Sequence, residues 1–181
     1  MILLFDVGNT NIHVSKSDGT SITHQYRIKS DTTLTADELF IKLKTYLNDD
    51  PIEDIAISSV VPSLTRTLML LSQTYFKVEP LVVKAGVKTG LQIKTDHPQE
   101  VGADLICAAV ERYGKGHQVI VDLGTAIKYI YVSDAMMKGV IITPGVDISM
   151  KALVGHTALL PDIHIEVPKK VLGTNTIECM Q

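Results

Sequence analysis

Two segments of this chain carry one pattern: an apolar run, an aspartate, one apolar residue, a glycine, and a second run leading away. They are Met1 to His13 (MILLFDVGNTNIH) and Gln118 to Tyr131 (QVIVDLGTAIKYIY). In the first copy, four apolar residues run into Asp6, the pattern of a strand buried on both faces that ends by presenting a carboxylate. Gly8, Asn9 and Thr10 then form a tight turn, in which glycine lets the backbone bend and lets an anion approach the N–H groups. Ile12 and Val14 resume the alternation of a returning strand. Alone, D-x-G-N-T would fit any polar hairpin. Its echo at Asp122, Gly124 and Thr125 implies a duplicated fold with a nucleotide between the halves.

Between the two copies the periodicity alternates between strand and helix. Ser21 to Lys29 reads as a third strand after an Asp18-Gly19 turn. Thr35 to Leu47 reads as a helix with Thr35 and Glu38 as its capping box. Asp54 to Ser59 is a short buried strand, Pro62 opens a helix that runs over Leu64 to Tyr75, and Pro80 to Val83 is another strand. Lys84 to His97 is expected as a surface loop. Pro98 to Tyr113 is expected as a helix carrying Val101, Leu105, Ala108, Ala109 and Arg112, ended by Gly114-Lys115-Gly116. The second set has strands from Gln118 to Asp122, Ala126 to Val132 and Met136 to Ile142, with a turn at Ser133-Asp134. A helix over Ile148 to Leu159 should turn Met150, Leu153 and Val154 to the sheet. Pro161 to Pro168 is expected to be extended, and Thr174 to Gln181 opens a further helix.

The order is that of an α/β fold with mixed sheets flanked by helices. The repeat sets a first domain at 1–114 and a second at 115–181, the second expected to be truncated because a matching half needs another strand and helix.

Composition narrows the partners. A net charge of -3 with no Lys/Arg cluster argues against a nucleic-acid surface. The two cysteines, Cys107 and Cys179, lie far apart, which gives no support to a disulfide framework. The first apolar run is broken by Asp6 too soon for a membrane or secretory segment, so no membrane contact and a cytoplasmic location are expected.

Phosphoryl transfer needs positioning and charge stabilisation more than covalent chemistry from the protein. Two glycine-bearing hairpins would supply backbone donors to phosphates, leaving Asp6 and Asp122 to hold cations such as magnesium. Neither G-x-x-x-x-G-K-[ST] nor a strand-linked G-x-G-x-x-G occurs. Asp104, flanked by the small residues Gly102 and Ala103, is a candidate base for a substrate hydroxyl. From position alone, an acid placed in a first helical turn by the helix dipole accounts for it better.

The ordered motifs DVGNTN, SSVVPSLT, KTGL, EVGAD, DLGTA, GVIITPG and NTIECMQ resemble the type III pantothenate kinases over essentially the whole chain. That family has the duplicated actin-like, ribonuclease H-like ATPase fold shared with sugar kinases. The resemblance implies transfer of a phosphoryl group from ATP to pantothenate, the first step towards coenzyme A. It also implies Mg2+, a monovalent cation (K+ or NH4+), and a homodimer with the substrate site completed at the interface. By position, Asp6, Val7, Gly8, Asn9, Thr10, Asn11, Ile12 and His13 would form the first phosphate loop, and Gly124 and Thr125 the second. Asp104 would accept the proton. Thr95, Gly102, Ala103, Leu105 and Thr176 would line the pantothenate site with Asp104, and Asp122 would hold the monovalent cation.

Several positions depart from the family pattern. Leu105 stands where the family writes arginine, and losing a charge-assisted contact to an anionic substrate costs roughly 1.5 to 3 kcal/mol. Restoring arginine there is expected to improve affinity. Thr95 and His97 replace a tyrosine and an asparagine, and a lone loop histidine is commonly just solvated. Ile127 and Lys128 replace two small hydroxyl residues, with Lys128 readable either as a phosphate partner or as an exposed strand lysine. Two other readings therefore stand beside an active kinase: a catalytically weak homologue acting as a regulator, and another actin-like ATPase or sugar kinase.

Overall fold

The computed structural model of the chain describes residues 1–47, 50–111 and 116–181. By contacts it divides into two compact units, one of residues 1–120 with 130–140, the other of 121–129 with 141–181.

The first unit is built on a five-stranded sheet. The opening hairpin pairs β1 (Ile2–Val7) antiparallel with β2 (Asn11–Ser17), and β3 (Ile22–Lys29) extends it antiparallel. On its other side β1 runs parallel to β4 (Asp54–Ser59), which pairs with the short β5 (Leu81–Val82). The order is β3-β2-β1-β4-β5. Leu3, Phe5 and Val7 are buried, whereas Ile2 and Leu4 are half-buried and Asp6 is exposed, so β1 has one fully covered face rather than the expected two. That face packs with Ile55 and Ile57 against α1 (Ala36–Leu47) and α2 (Pro62–Leu71), through Leu39, Leu43, Leu64 and Leu68.

Local chemistry fixes both helix starts. The Thr35 N–H donates to Glu38 Oε2 at 2.9 Å while the Glu38 N–H donates to Thr35 Oγ1 at 3.3 Å, the reciprocal bonds of a capping box. Pro62 stands in the first turn of α2, where its missing N–H is no loss. The helix then widens into a π-turn over Ser72–Phe76. This turn lays Tyr75 on Phe40 with ring centroids 3.8 Å apart, and the Tyr75 hydroxyl donates to Asp37 at 2.6 Å.

Lys16 occupies a core-facing position of β2 with Ile12 and Val14 and is fully buried. Its ammonium reaches the Leu47 carbonyl at 3.2 Å and the Asp50 carboxylate at 2.5 Å, partners that a charge in this position requires.

A second sheet has the order β6-β9-β8-β7, from β7 (Gln118–Leu123), β8 (Ala126–Ser133), β9 (Met136–Pro144) and β6 (Gln92–Ile93). Strand β6 corrects the expectation of a plain loop over Lys84 to His97. Its N–H at Gln92 bonds the Ala135 carbonyl at 2.9 Å, a long-range partner that no local pattern encodes. The β8–β9 turn centres on Asp134 and Ala135, both with positive φ, one residue later than expected. The expected helix from Pro98 is also split. A 3-10 turn covers Pro98–Glu100, Val101 is extended, and α3 (Ala103–Val110) begins after Gly102. The expectations for Arg112, Tyr113, Gly114 and Lys115 lie outside the described residues.

In the second unit, α4 (Val146–Gly155) starts two residues before the expected helix and stops earlier. None of its residues is buried, so Met150, Leu153 and Val154 do not form the sheet-facing row expected of them. Residues 161–168, expected to be extended, form neither a helix nor a paired strand. Helix α5 (Thr176–Met180) is capped by Asn175, whose side chain accepts the Glu178 N–H at 3.0 Å. Among the described residues no helix is long and apolar enough to cross a membrane.

Candidate functional site

In the first unit, the carboxyl ends of β1 and β4 and the start of α3 bring several expected site residues together. The register places Asp6 directly opposite Ser58, whose hydroxyl donates to Asp6 Oδ1 at 3.3 Å. The Ser58 side chain is also hydrogen-bonded to Cys107 of α3. Desolvation pushes the Cys107 thiol up from its ordinary value, against the Ser58 bond, and the negative charges of Asp6 and Asp104 push it further. Asp6 and Asp104, 98 positions apart in sequence, thus border one thiol. Neither Ser58 nor Cys107 was expected among the site residues; their signal was only a serine near the end of a parallel strand and a cysteine one turn after an acid.

Asp104 is the second residue of α3. Its Oδ1 accepts the Leu105 N–H at 2.8 Å, where the exposed N–H groups and dipole of a helix start favour a carboxylate. Gly102 makes this possible, because a Cβ there would stand 2.5 Å from Asp104 Oδ1. Ala103 is buried beside it. Leu105, expected to line the substrate site, is 8% exposed and packs with Ala109, Ile130, Val132 and Met137 in the second hydrophobic core of this unit. Thr95 lies between β6 and the 3-10 turn, and its Oγ1 is buried without a hydrogen-bond partner among the described residues.

The first hairpin turn is closed by Gly8 N–H to the Asn11 carbonyl at 2.9 Å. Ser30, at the end of β3, braces it from outside, donating its hydroxyl to the Gly8 carbonyl at 2.6 Å and its N–H to the Thr10 carbonyl at 2.9 Å. Val7 and Ile12 anchor the turn in the core, while Asn9, Thr10 and His13 are exposed and Asn11 is half-buried. Gly8 does not have positive φ, and a Cβ on it would meet nothing nearer than the Asn11 carbonyl at 3.4 Å. The fold therefore does not need glycine there, and what glycine provides is open space over the turn.

The second hairpin lies in the second unit, where Gly124 N–H bonds the Ala126 carbonyl at 3.2 Å. Gly124 and Thr125 are exposed. The turn is braced by Gly145, whose N–H donates to the Thr125 carbonyl at 3.0 Å and whose missing side chain makes room for the carbonyls of Gly124 and Thr125. Gly145 was not expected among the site residues. Asp122 is held by Lys128, with Nζ 2.7 Å from Oδ2. Thr176 is exposed at the start of α5, on the rim of an open groove lined by Leu153, Leu160, Cys179 and Met180.

The two cation expectations fare differently in this donor set. Among the described residues no group of three or more His, Cys, Asp or Glu stands together as a metal cage. Magnesium needs no such cage, since it is commonly bound by one or two carboxylates plus substrate phosphates, and exposed Asp6 suits that use. Asp122 does not fit an open monovalent site, because a lysine ammonium already occupies its carboxylate.

Two mixed sheets with helices on their faces and glycine-bearing hairpins define an actin-like, sugar-kinase-type fold. Solved structures agree on the fold. A chain described as a Baf family transcriptional activator from Campylobacter jejuni superposes with TM-score 0.59 at 19% identity, over 98% of this chain and 71% of that one. A chain described as a 2-dehydro-3-deoxygalactonokinase protein from Sinorhizobium meliloti gives 0.52 at 12% identity, over 88% of this chain and 59% of that one. The family model for type III pantothenate kinases matches residues 2–181. The type III pantothenate kinase of Acholeplasma laidlawii is 48% identical over 181 residues, all of this chain and 73% of the relative. This chain belongs to the type III pantothenate kinase family, a family of phosphotransferases.

Proposed function

We propose that this chain transfers the γ-phosphoryl group of ATP to the primary hydroxyl of pantothenate, giving 4′-phosphopantothenate in the first step of coenzyme A biosynthesis. The observation that carries this reading is the family match along residues 2–181. The site chemistry supports it. The pantothenate hydroxyl oxygen bonds to the γ-phosphorus, the bond to the ADP oxygen breaks, and the hydroxyl proton passes to Asp104. The helix start that surrounds the Asp104 carboxylate fixes its direction, and Gly102 and Ala103 keep bulk away from it.

The turn from Asp6 to His13 and the pair Gly124-Thr125 offer N–H and hydroxyl donors to the ATP phosphates, with free space over each glycine. Mg2+ bound with the nucleotide would neutralise charge on the phosphate oxygens, and Asp6 is the residue that would hold it. Thr95, with its unpartnered Oγ1, and Thr176 are read as substrate contacts. A cytoplasmic homodimer with the pantothenate site completed at the interface belongs to the same reading.

The test is ADP release, followed with and without pantothenate. Pantothenate-dependent release is expected, and Asp104→Asn is expected to lower kcat about 10²- to 10⁴-fold with an unchanged Tm. Nucleotide binding without pantothenate-dependent turnover, or turnover on a sugar alone, would overturn it.

A further inference from the structure

The two hairpins can be compared atom by atom from the hydrogen bond that closes each turn. In the first, that bond joins Gly8 to Asn11, and two residues outward on either side stand Asp6 and His13, which are direct cross-strand partners. In the second, the closing bond joins Gly124 to Ala126, and two residues outward stand Asp122 and Lys128. The hairpins thus repeat the same acid with a different residue facing it. Asp6 takes a hydroxyl from the neighbouring strand β4, whereas Asp122 takes the ammonium of Lys128 at 2.7 Å.

The Lys128 side chain is only 20% exposed and that of Asp122 41%. The Lys128 stem is therefore mostly covered, and its ammonium is directed onto the Asp122 carboxylate. A hydrated K+ arriving at Asp122 would either displace this ammonium or bring a second positive charge against a single carboxylate. A lysine head is in effect an alkyl-substituted NH4+: it carries the same charge and N–H donors, on a compact strongly hydrated centre. Because it is tethered to β8, it does not depend on the concentration of a free ion.

We propose that the Lys128 ammonium takes the place of a bound monovalent cation at Asp122, so that this chain requires neither K+ nor NH4+. The proposal rests on the kinase reading for what the cation would serve, but on the 2.7 Å contact alone for where the ammonium sits. It also accounts for the departure at position 128: a small hydroxyl residue would leave Asp122 open to an external ion, and lysine closes it.

Two measurements test it on the full chain. In the first, pantothenate-dependent ADP release is compared in choline chloride, NaCl, KCl and NH4Cl at equal ionic strength. The wild type is expected to run at the same rate in all four. Lys128→Ser is expected to lose roughly a hundredfold in choline or Na+ and to recover in K+ or NH4+. In the second, Tm is compared between KCl and choline chloride without substrates, so that the readout survives even if no turnover on pantothenate is found. The wild type should show no K+-specific shift, and Lys128→Ser should gain one by mass action. A wild type that needs K+ for turnover, or that K+ specifically stabilises, overturns the proposal. So does a Lys128→Ser variant indifferent to K+ in both measurements, which would leave Lys128 as a strand ion pair only.

Discussion

The carboxylate of Asp104 lies over Gly102, so close that a methyl group at 102 would stand 2.5 Å from Asp104 Oδ1. Gly102 is the N-cap residue of α3 with an extended backbone, φ -61 and ψ 147, a conformation any residue can adopt. The glycine is therefore required by the carboxylate and not by the chain path. Gly102→Ala should turn Asp104 away by rotation of its short, half-buried side chain, leaving Tm nearly unchanged. The expected readout is a fall in kcat of roughly a hundredfold, since a displacement of about 1 Å is enough for that. An alanine variant with wild-type kcat would show that this orientation does not matter.

Leu105 follows directly, and its side chain goes the opposite way, into the core with Ile130, Val132 and Met137. Replacing it with arginine places a guanidinium among apolar groups that offer it no partner. Leu105→Arg is expected to lower stability by about 3–5 kcal/mol, read as a drop in denaturation midpoint, without a gain in pantothenate affinity. The sequence alone argued for the reverse outcome. Tighter pantothenate binding in a stably folded variant would mean that α3 turns this position towards the substrate.

Gly145 meets the second hairpin backbone to backbone. A Cβ there would collide with the carbonyls of both Gly124 and Thr125, which cannot rotate aside as a side chain can. Gly145→Ala is expected to destabilise by about 1–3 kcal/mol and to weaken ATP binding, measured as a smaller ATP-induced shift in Tm. An unchanged response to ATP would detach this glycine from the phosphate turn.

Acid should loosen the turns and caps first. Asp18 accepts the Ser21 and Thr20 N–H groups and is held well below the usual carboxylate range, and Glu38 is lowered by its bonds from Thr35. On falling pH the unfolded chain takes up protons before the folded one. The contribution of these groups is therefore complete above the ordinary carboxylate values, 3.8 for Asp18 and 4.5 for Glu38, and is lost as pH falls through the depressed folded values. Stability measured by denaturant between neutral pH and strong acid should decline more gently in Asp18→Asn than in the wild type. Identical acid limbs would refute this.

What the sequence settled by itself was local. The strand-turn-strand repeat, the acids at the ends of β1 and β7, the Thr35–Glu38 capping box and the proline opening α2 are each encoded within a few residues, by alternation, turn chemistry or a cap. Tertiary structure decided the rest. Lys16 and Lys128 are both lysines on strands, yet one is buried against Asp50 and the other holds Asp122. Gln92 and Ile93 become a strand only because β9 is there to pair with them. Asp104 and Leu105 are adjacent on α3, and the fold sends one carboxylate back over the helix start and the other side chain into the core. In each case the deciding term is a partner supplied from a distant part of the chain, whose hydrogen bond or apolar contact outweighs anything the neighbouring residues prefer.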